Sequence, residues 1–357
     1  MTDRRVVDDC ISRIRPRDGE VWSAARQVMN GKLKPPGSLG RLEELACQVA
    51  SVRGIATPGP VTPAVVVCAA DHGVAEESVS AYPREVTAMM LSSFASGGAA
   101  ISVLSREVGA RLVVADVGVL EPPTPPPGAA EVLDLRVRAG TGNSTREVAM
   151  SSDEAVRAVR RGMDLADGLI DEGVDLVALG EMGIGNTTTA SALTAALLGL
   201  DASTVCGAGT GLDEAGIRRK QSVVAQVLDR HAGARGALEV LAAMGGLEVA
   251  ALTGVVLRCT SRRVPVVLDG FITTSAALVA AELAPAAVDA MIAGHLSVEP
   301  GHAVQLKSLG LDPLLRLDLR LGEGTGAALA IGVVRAAVAL LSDMADFASL
   351  GLDPGDD

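Results

Sequence analysis

Residues 174–193, VDLVALGEMGIGNTTTASAL, hold a strand, a glycine turn and a helix start in one short stretch. The apolar run at 174–179 is too short for a helix and ends at Gly180-Glu181. Gly183 and Gly185 then let the backbone turn, and Asn186-Thr187-Thr188 opens an alanine-rich helical segment. The same rhythm recurs along the chain. PAVVVCAA (63–70) runs into Asp71-His72-Gly73, RLVVADVG spans 111–118, and VPVVL (264–268) runs into Asp269-Gly270-Phe271. Repeated strand, turn and helix predict βαβ units, hence an α/β fold with a mostly parallel, Rossmann-like sheet covered on both faces. In such a sheet ligands bind beyond the C-terminal strand ends, where Asp71, Glu181 and Asp269 fall. LLRLDLRL (314–321) alternates strictly and predicts a further short strand leading to Glu323.

Composition narrows the function. A chain of 357 residues predicts one large body with a smaller accessory piece. Hydrophobic residues reach 48% but aromatics only 1%, so the core must be packed from Ala, Val and Leu. A net charge of −12 argues against nucleic acid or an anionic membrane as partner. Arg335 interrupts the one long C-terminal apolar run and the N-terminus lacks a signal-peptide pattern, so no membrane span and a cytoplasmic location are expected. The five cysteines are odd in number and scattered in apolar surroundings, which predicts reduced core thiols.

Residues 1–60 read as helical, with Ser38 expected to cap the helix that follows KLKPPGSLG. LEPPTPPPGAAEV, with its proline-rich loop at 121–128, interrupts the α/β rhythm as a surface excursion.

Four motifs bear on chemistry. The helix start at Asn186 offers amide donors and a positive dipole end to a phosphate, though an ordinary capped turn has the same sequence. GAGTGLDEAGIRRK places Gly207, Gly209 and Gly211 ahead of a helix that carries Lys220, one of only four lysines. It matches neither a dinucleotide fingerprint nor a P-loop, so a second phosphate loop and a plain tight turn both fit. GHLSVEPGH suggests a metal through His295, Glu299 and His302, but Pro300-Gly301 breaks the helical facing, and hydrogen-bonding or structural histidines are expected there and at His72. In RLGEGTGAALA (320–330) Gly322, Gly324 and Gly326 surround Glu323. They fit either a surface acid beside a flexible turn or a desolvated carboxylate against which a ligand presses.

Together with KPPGSLGRLE, DHGV, SAYPREVT, GGAAI and DGFITT, these stretches occur in one order between residues 32 and 330. In that order the chain resembles the nicotinate-nucleotide:dimethylbenzimidazole phosphoribosyltransferase family of cobalamin lower-loop assembly. The resemblance implies a small helical domain from residues 1–60 with 331–357, an α/β catalytic domain from 61–330, a homodimer, and no metal or organic cofactor. It implies transfer of ribose 5-phosphate from nicotinate mononucleotide to a benzimidazole nitrogen, with Glu323 as base and Glu181 and Gly183 beside ribose and nicotinate. It also places Lys220 and the loop Gly207, Gly209, Thr210 and Gly211 near the phosphate. Further substrate contacts are expected at Gly185, Asn186, Asp269, Gly270, Phe271, Ser80, Tyr82 and Leu321. One departure stands out: Met89 occupies a position where the family usually has a glutamine lining the base pocket. A dinucleotide-dependent oxidoreductase and a non-catalytic nucleotide- or base-binding paralogue are the other classes compatible with the sheet.

Overall fold

The computed structural model describes residues 2–121 and 123–351. Six strands form one sheet in the order β3-β2-β1-β4-β5-β6, every adjacent pair parallel. They are β1 (Pro63–Ala70), β2 (Arg111–Gly118), β3 (Val132–Asp134), β4 (Leu176–Met182), β5 (Val266–Leu268) and β6 (Met291–Ala293). The chain lays β2 and β3 on one side of β1, then returns to place β4, β5 and β6 on the other. The topological switch point therefore lies between β1 and β4, where Cys68 pairs in register with Glu181.

Alternate strand residues face two cores. Val66, Cys68, Val177 and Leu179 pack with helices Ser152–Asp171, Leu247–Ser261 and Phe271–Leu283. Val65, Val67 and Ala178 pack with helices Gly19–Asn30, Arg41–Arg53 and Thr325–Asp343. Scarce aromatics are balanced by close helix approach. Gly162 and Gly254 bring helices Ser152–Asp171 and Leu247–Ser261 so near that a Cβ at either would strike the opposing backbone. The first of these helices starts in a capping box, where the Ser151 hydroxyl accepts the Glu154 N–H and the Glu154 carboxylate accepts the Ser151 N–H. All five cysteines are free and buried.

Two readings of the sequence need correction. Ser38 does not cap: the helix Arg41–Arg53 has Gly40 at its N-cap, and the buried Glu43 carboxylate instead accepts the Leu39 N–H at 3.0 Å and pairs with Lys34 at 2.8 Å. LLRLDLRL is not a strand. Leu315 alone bridges to His295, Leu317 and Leu321 stay exposed, and Asp318 turns to φ 53°. Backbone bonds to residues 293–298 do form, from the Leu314 and Leu315 N–H and to the Leu315 and Leu319 carbonyls, but the turn at Asp318 breaks the regular ladder that alternation alone predicts. Separately, Thr325–Asp343 and the stretch Val86–Glu107 each pass a test of length and composition alone for a membrane-crossing helix, which buried core helices also pass. In the fold Val334, Ala337, Val338 and Leu341 are buried in the core shared with helix Arg41–Arg53, and the Arg335 guanidinium donates to the Val108 carbonyl at 2.8 Å.

Candidate active site

At the C-terminal end of β4, Glu181 points into a cleft open to solvent, walled by the turn after β4, the glycine loop at 209–210, the start of helix Phe271–Leu283 and residues 320–322. The Asn186 amide, at the start of helix Asn186–Leu198, donates to the Glu181 carboxyl. Burial, then the charges of Asp269, Glu248 and Glu323, push that carboxyl up to about 8, against the Asn186 hydrogen bond. Glu181 is thus protonated at neutral pH.

Glu323 precedes the helix Thr325–Asp343 and holds a left-handed backbone, φ 64°. The helix start is tied down by Asp269, whose carboxylate accepts the Ala327 N–H at 2.9 Å and the Gly324 N–H at 3.3 Å. Gly180 in β4 has no side chain because the Glu323 backbone occupies the space where one would stand. A Cβ at Gly322 would come within 2.5 Å of the Glu181 carboxyl, and one at Gly326 would collide with the His295 ring. Gly324 and Gly326 serve the packing of this loop onto β4 and His295, and Gly322, which lines the cleft, keeps side-chain bulk off the Glu181 carboxyl. Burial raises the Glu323 carboxyl, the neighbouring Ile101 N–H opposes that, and Asp269 adds to it. One carboxylate oxygen, Oε2, is buried without a protein partner.

On the far wall the Lys220 side chain, fully buried in helix Glu214–Arg230, reaches beneath the glycine loop. Its Nζ donates to Thr187 Oγ1 at 2.9 Å and to the Gly207 carbonyl at 3.3 Å. Burial pushes the ammonium down, and the Glu299 carboxylate opposes that shift. His302 accepts the Ser297 N–H through Nδ1 at 2.9 Å and lies 3.1 Å from the Thr274 hydroxyl through Nε2. Burial, with His295 nearby, pushes it down to about 3, so it is a neutral structural imidazole. Beneath Gly183, His72 Nε2 meets Glu248 at 2.8 Å and Nδ1 meets Thr189 at 3.0 Å. Burial disfavours the His72 cation, but Glu248 and Asp71 more than offset this and raise it. Among the described residues no cluster of three or more His, Cys, Asp or Glu has metal-holding geometry.

Of the residues singled out from the sequence, Glu181, Gly183, Asn186, Gly209, Thr210, Asp269, Gly270, Phe271 and Leu321 line the cleft. Gly185, Gly207, Gly211, Lys220 and Glu323 stand behind or beside that lining. Ser80 reaches the rim, its hydroxyl 3.3 Å from that of Thr210, whereas Tyr82 and Met89 are exposed and outside the lining. Sequence reasoning gave no site role to Ser297 and Arg320, which also line the cleft, nor to Glu299 except as a metal ligand. For Glu299 the signal was its place directly before Pro300-Gly301, the acid-then-proline pattern of a helix start.

This arrangement defines a class: α/β proteins with a small-molecule cleft at the switch point of a parallel sheet, walled by buried carboxyl groups. A family model described as "DBI_PRT: Phosphoribosyltransferase" matches residues 14–352. Nicotinate-nucleotide–dimethylbenzimidazole phosphoribosyltransferase of Chloroflexus aurantiacus is 50% identical over 348 residues, 97% of this chain and 98% of that protein. The protein of the same name from Geobacter metallireducens is 44% identical over 99% of each chain. A crystal structure of the phosphoribosyltransferase so named from Thermus thermophilus superposes with a TM-score of 0.88 at 48% identity, covering 95% of this chain and 100% of that one. The chain belongs to the nicotinate-nucleotide:dimethylbenzimidazole phosphoribosyltransferase family and is a phosphoribosyltransferase.

Proposed function

We propose that this enzyme transfers ribose 5-phosphate from nicotinate mononucleotide to 5,6-dimethylbenzimidazole or a related base, giving α-ribazole 5'-phosphate and nicotinate. The C1'–N bond of the donor breaks with its electron pair going to the pyridinium nitrogen, which leaves neutral at that atom and needs no general acid. A benzimidazole nitrogen forms the new bond to C1', and the ring's other N–H becomes acidic. Glu323 takes that proton. The observation carrying this reading is its buried, partner-free oxygen beside the cleft, on a carboxyl that burial raises above its ordinary value and so makes more basic.

Glu181 has the complementary task. Protonated at neutral pH, it adds no negative charge beside an anionic donor and keeps a proton for hydrogen bonding to ribose or nicotinate. Lys220 under the glycine loop is assigned to the 5'-phosphate. Gly185 and Asn186 shape the helix start, Phe271 is a buried wall, and Ser80, Tyr82, Met89 and Leu321 belong to the acceptor side. In this reading residues 1–60 with 331–357 form the small helical part and 61–330 the catalytic body, the last few positions, 352–357, lying outside the described residues. The working form is a cytoplasmic homodimer. The test is nicotinate release from its mononucleotide against a panel of bases. Base-dependent release supports the transferase; tight mononucleotide binding with no release under any base would leave a non-catalytic nucleotide-binding paralogue.

A further inference from the structure

Glu299 takes no part in the reaction just described, and a carboxylate is an odd wall for a cleft that grips an anion. Its Oε1 accepts the Gly209 N–H at 2.7 Å. Its Oε2 is buried without a partner and faces Gly207, where a Cβ would come within 2.5 Å of it and 2.6 Å of Pro300 Cδ. The acid is itself fixed. It occupies the N-cap of helix Pro300–Leu309, and its own N–H is 3.4 Å from the Ser297 hydroxyl. Lys220 grips the same three-residue segment from the other side through the Gly207 carbonyl, and a Cβ at Gly209 would stand 3.2 Å from Nζ. An ammonium has three hydrogens, and protein acceptors take two here, Thr187 and Gly207. Among the described residues no ion pair joins Glu299 to Lys220 directly; they communicate through the loop between them.

We infer that Glu299 is a positioning residue of the donor-phosphate subsite: by accepting the Gly209 N–H it fixes the Gly207–Gly209 segment and, through the Gly207 carbonyl, aims the remaining Lys220 hydrogen at the phosphate. This rests on the assignment of Lys220 to the 5'-phosphate. Because Glu299 takes the Gly209 N–H, the loop does not work as a nest of free amides; it is a rigid bar that orients one cation. A carboxylate suits the position because its charge also supports the buried ammonium.

The test compares calorimetric binding of nicotinate mononucleotide with that of nicotinate riboside, which lacks the phosphate. Glu299→Ala should raise the Kd of the mononucleotide about tenfold, leave that of the riboside unchanged, and lower kcat at saturating donor less than about threefold, as expected when one charge-assisted hydrogen bond is removed from ground-state binding. Glu299→Gln keeps an acceptor for the Gly209 N–H and should recover most of the loss. If Glu299→Ala does not fold, Gly207→Ala decides: its Cβ pushes the loop off an intact Glu299 and should give the same phosphate-specific loss. Equal weakening of both ligands, no change in Kd, or failure of Glu299→Gln to recover overturns the inference. Wild-type enzyme that binds the two ligands equally well would instead overturn the phosphate assignment beneath it.

Discussion

Glu323 keeps a left-handed backbone at φ 64°, a conformation that costs a non-glycine residue about 1–3 kcal/mol. The neighbouring positions 322 and 324 are glycine, so the strain is concentrated on the one residue of the three that carries a side chain. Glu323→Gln keeps the shape and the backbone but cannot hold a proton. It should lower kcat by about 10² or more with little change in donor affinity, measured as nicotinate release at saturating base. An unchanged kcat would remove Glu323 from the chemistry. Glu181 gives a second prediction, on stability. Its folded carboxyl is pushed up to about 8 from an ordinary value near 4.5, so the folded chain holds a proton that the unfolded chain has released between those limits. The stability this brings is fully present below pH 4.5 and is lost as pH rises through 8. The Tm of ligand-free enzyme should therefore fall from pH 5 to 8, and Glu181→Gln, neutral at every pH, should flatten that fall by on the order of 2 °C or more. Identical pH slopes for the two proteins would show that another group carries the proton.

The junction between β4 and the helix Thr325–Asp343 is the element that holds Glu323, the proposed base. Asp269 holds the helix start by two backbone amides, and His295 Nε2 stands 3.5 Å from the same carboxylate. Gly326→Ala would drive its Cβ into the His295 ring and lift the helix start away from β4, at an overpacking cost of about 1–3 kcal/mol. A stability loss of that size with kcat down about tenfold and mononucleotide binding retained is expected, because Glu323 moves while the Lys220 wall does not. Loss of donor binding in step with kcat would show instead that the whole cleft had collapsed. Much of this element was legible beforehand. Strands β1, β2, β4 and β5 announce themselves as apolar runs ending at a polar residue or glycine, which placed Glu181 and Asp269 at the cleft. Strands β3 and β6, three residues each, are too short to stand out. The glycine spacing around Glu323 was visible but its cause was not, since the packing partners Gly180, Glu181 and His295 lie in other elements. Likewise Glu299 meets Gly209 across 90 residues and His72 meets Glu248 across 176, distances over which no local pattern carries a signal.

At the scale of the molecule, the proposed acceptor side lies uncovered in one chain. In one copy Met89 is 67% exposed, Leu321 59% and Tyr82 54%, so a base arriving there would meet water as much as protein. A methionine facing bulk water discriminates poorly, because any polar group on the base stays hydrated whichever residue stands at 89. Discrimination by Met89 therefore requires the proposed second copy to exclude that water. Two chains of net charge −12 repel, so the contact between them must be largely apolar and should survive added salt. Light scattering should give twice the mass of one chain at both low and high ionic strength. In that dimer a thioether offers soft apolar contact and only weak acceptor capacity, whereas a glutamine amide both donates and accepts. Met89→Gln should then raise kcat/KM for hydroxybenzimidazole or adenine relative to dimethylbenzimidazole by about fivefold, the worth of one neutral hydrogen bond near 1 kcal/mol. Direct competition between the bases measures the ratio. If it stays constant in a proven dimer, position 89 does not read the base; if the protein runs as a single chain and the ratio is again constant, Met89 is a solvent-facing residue and the acceptor is selected elsewhere in the cleft.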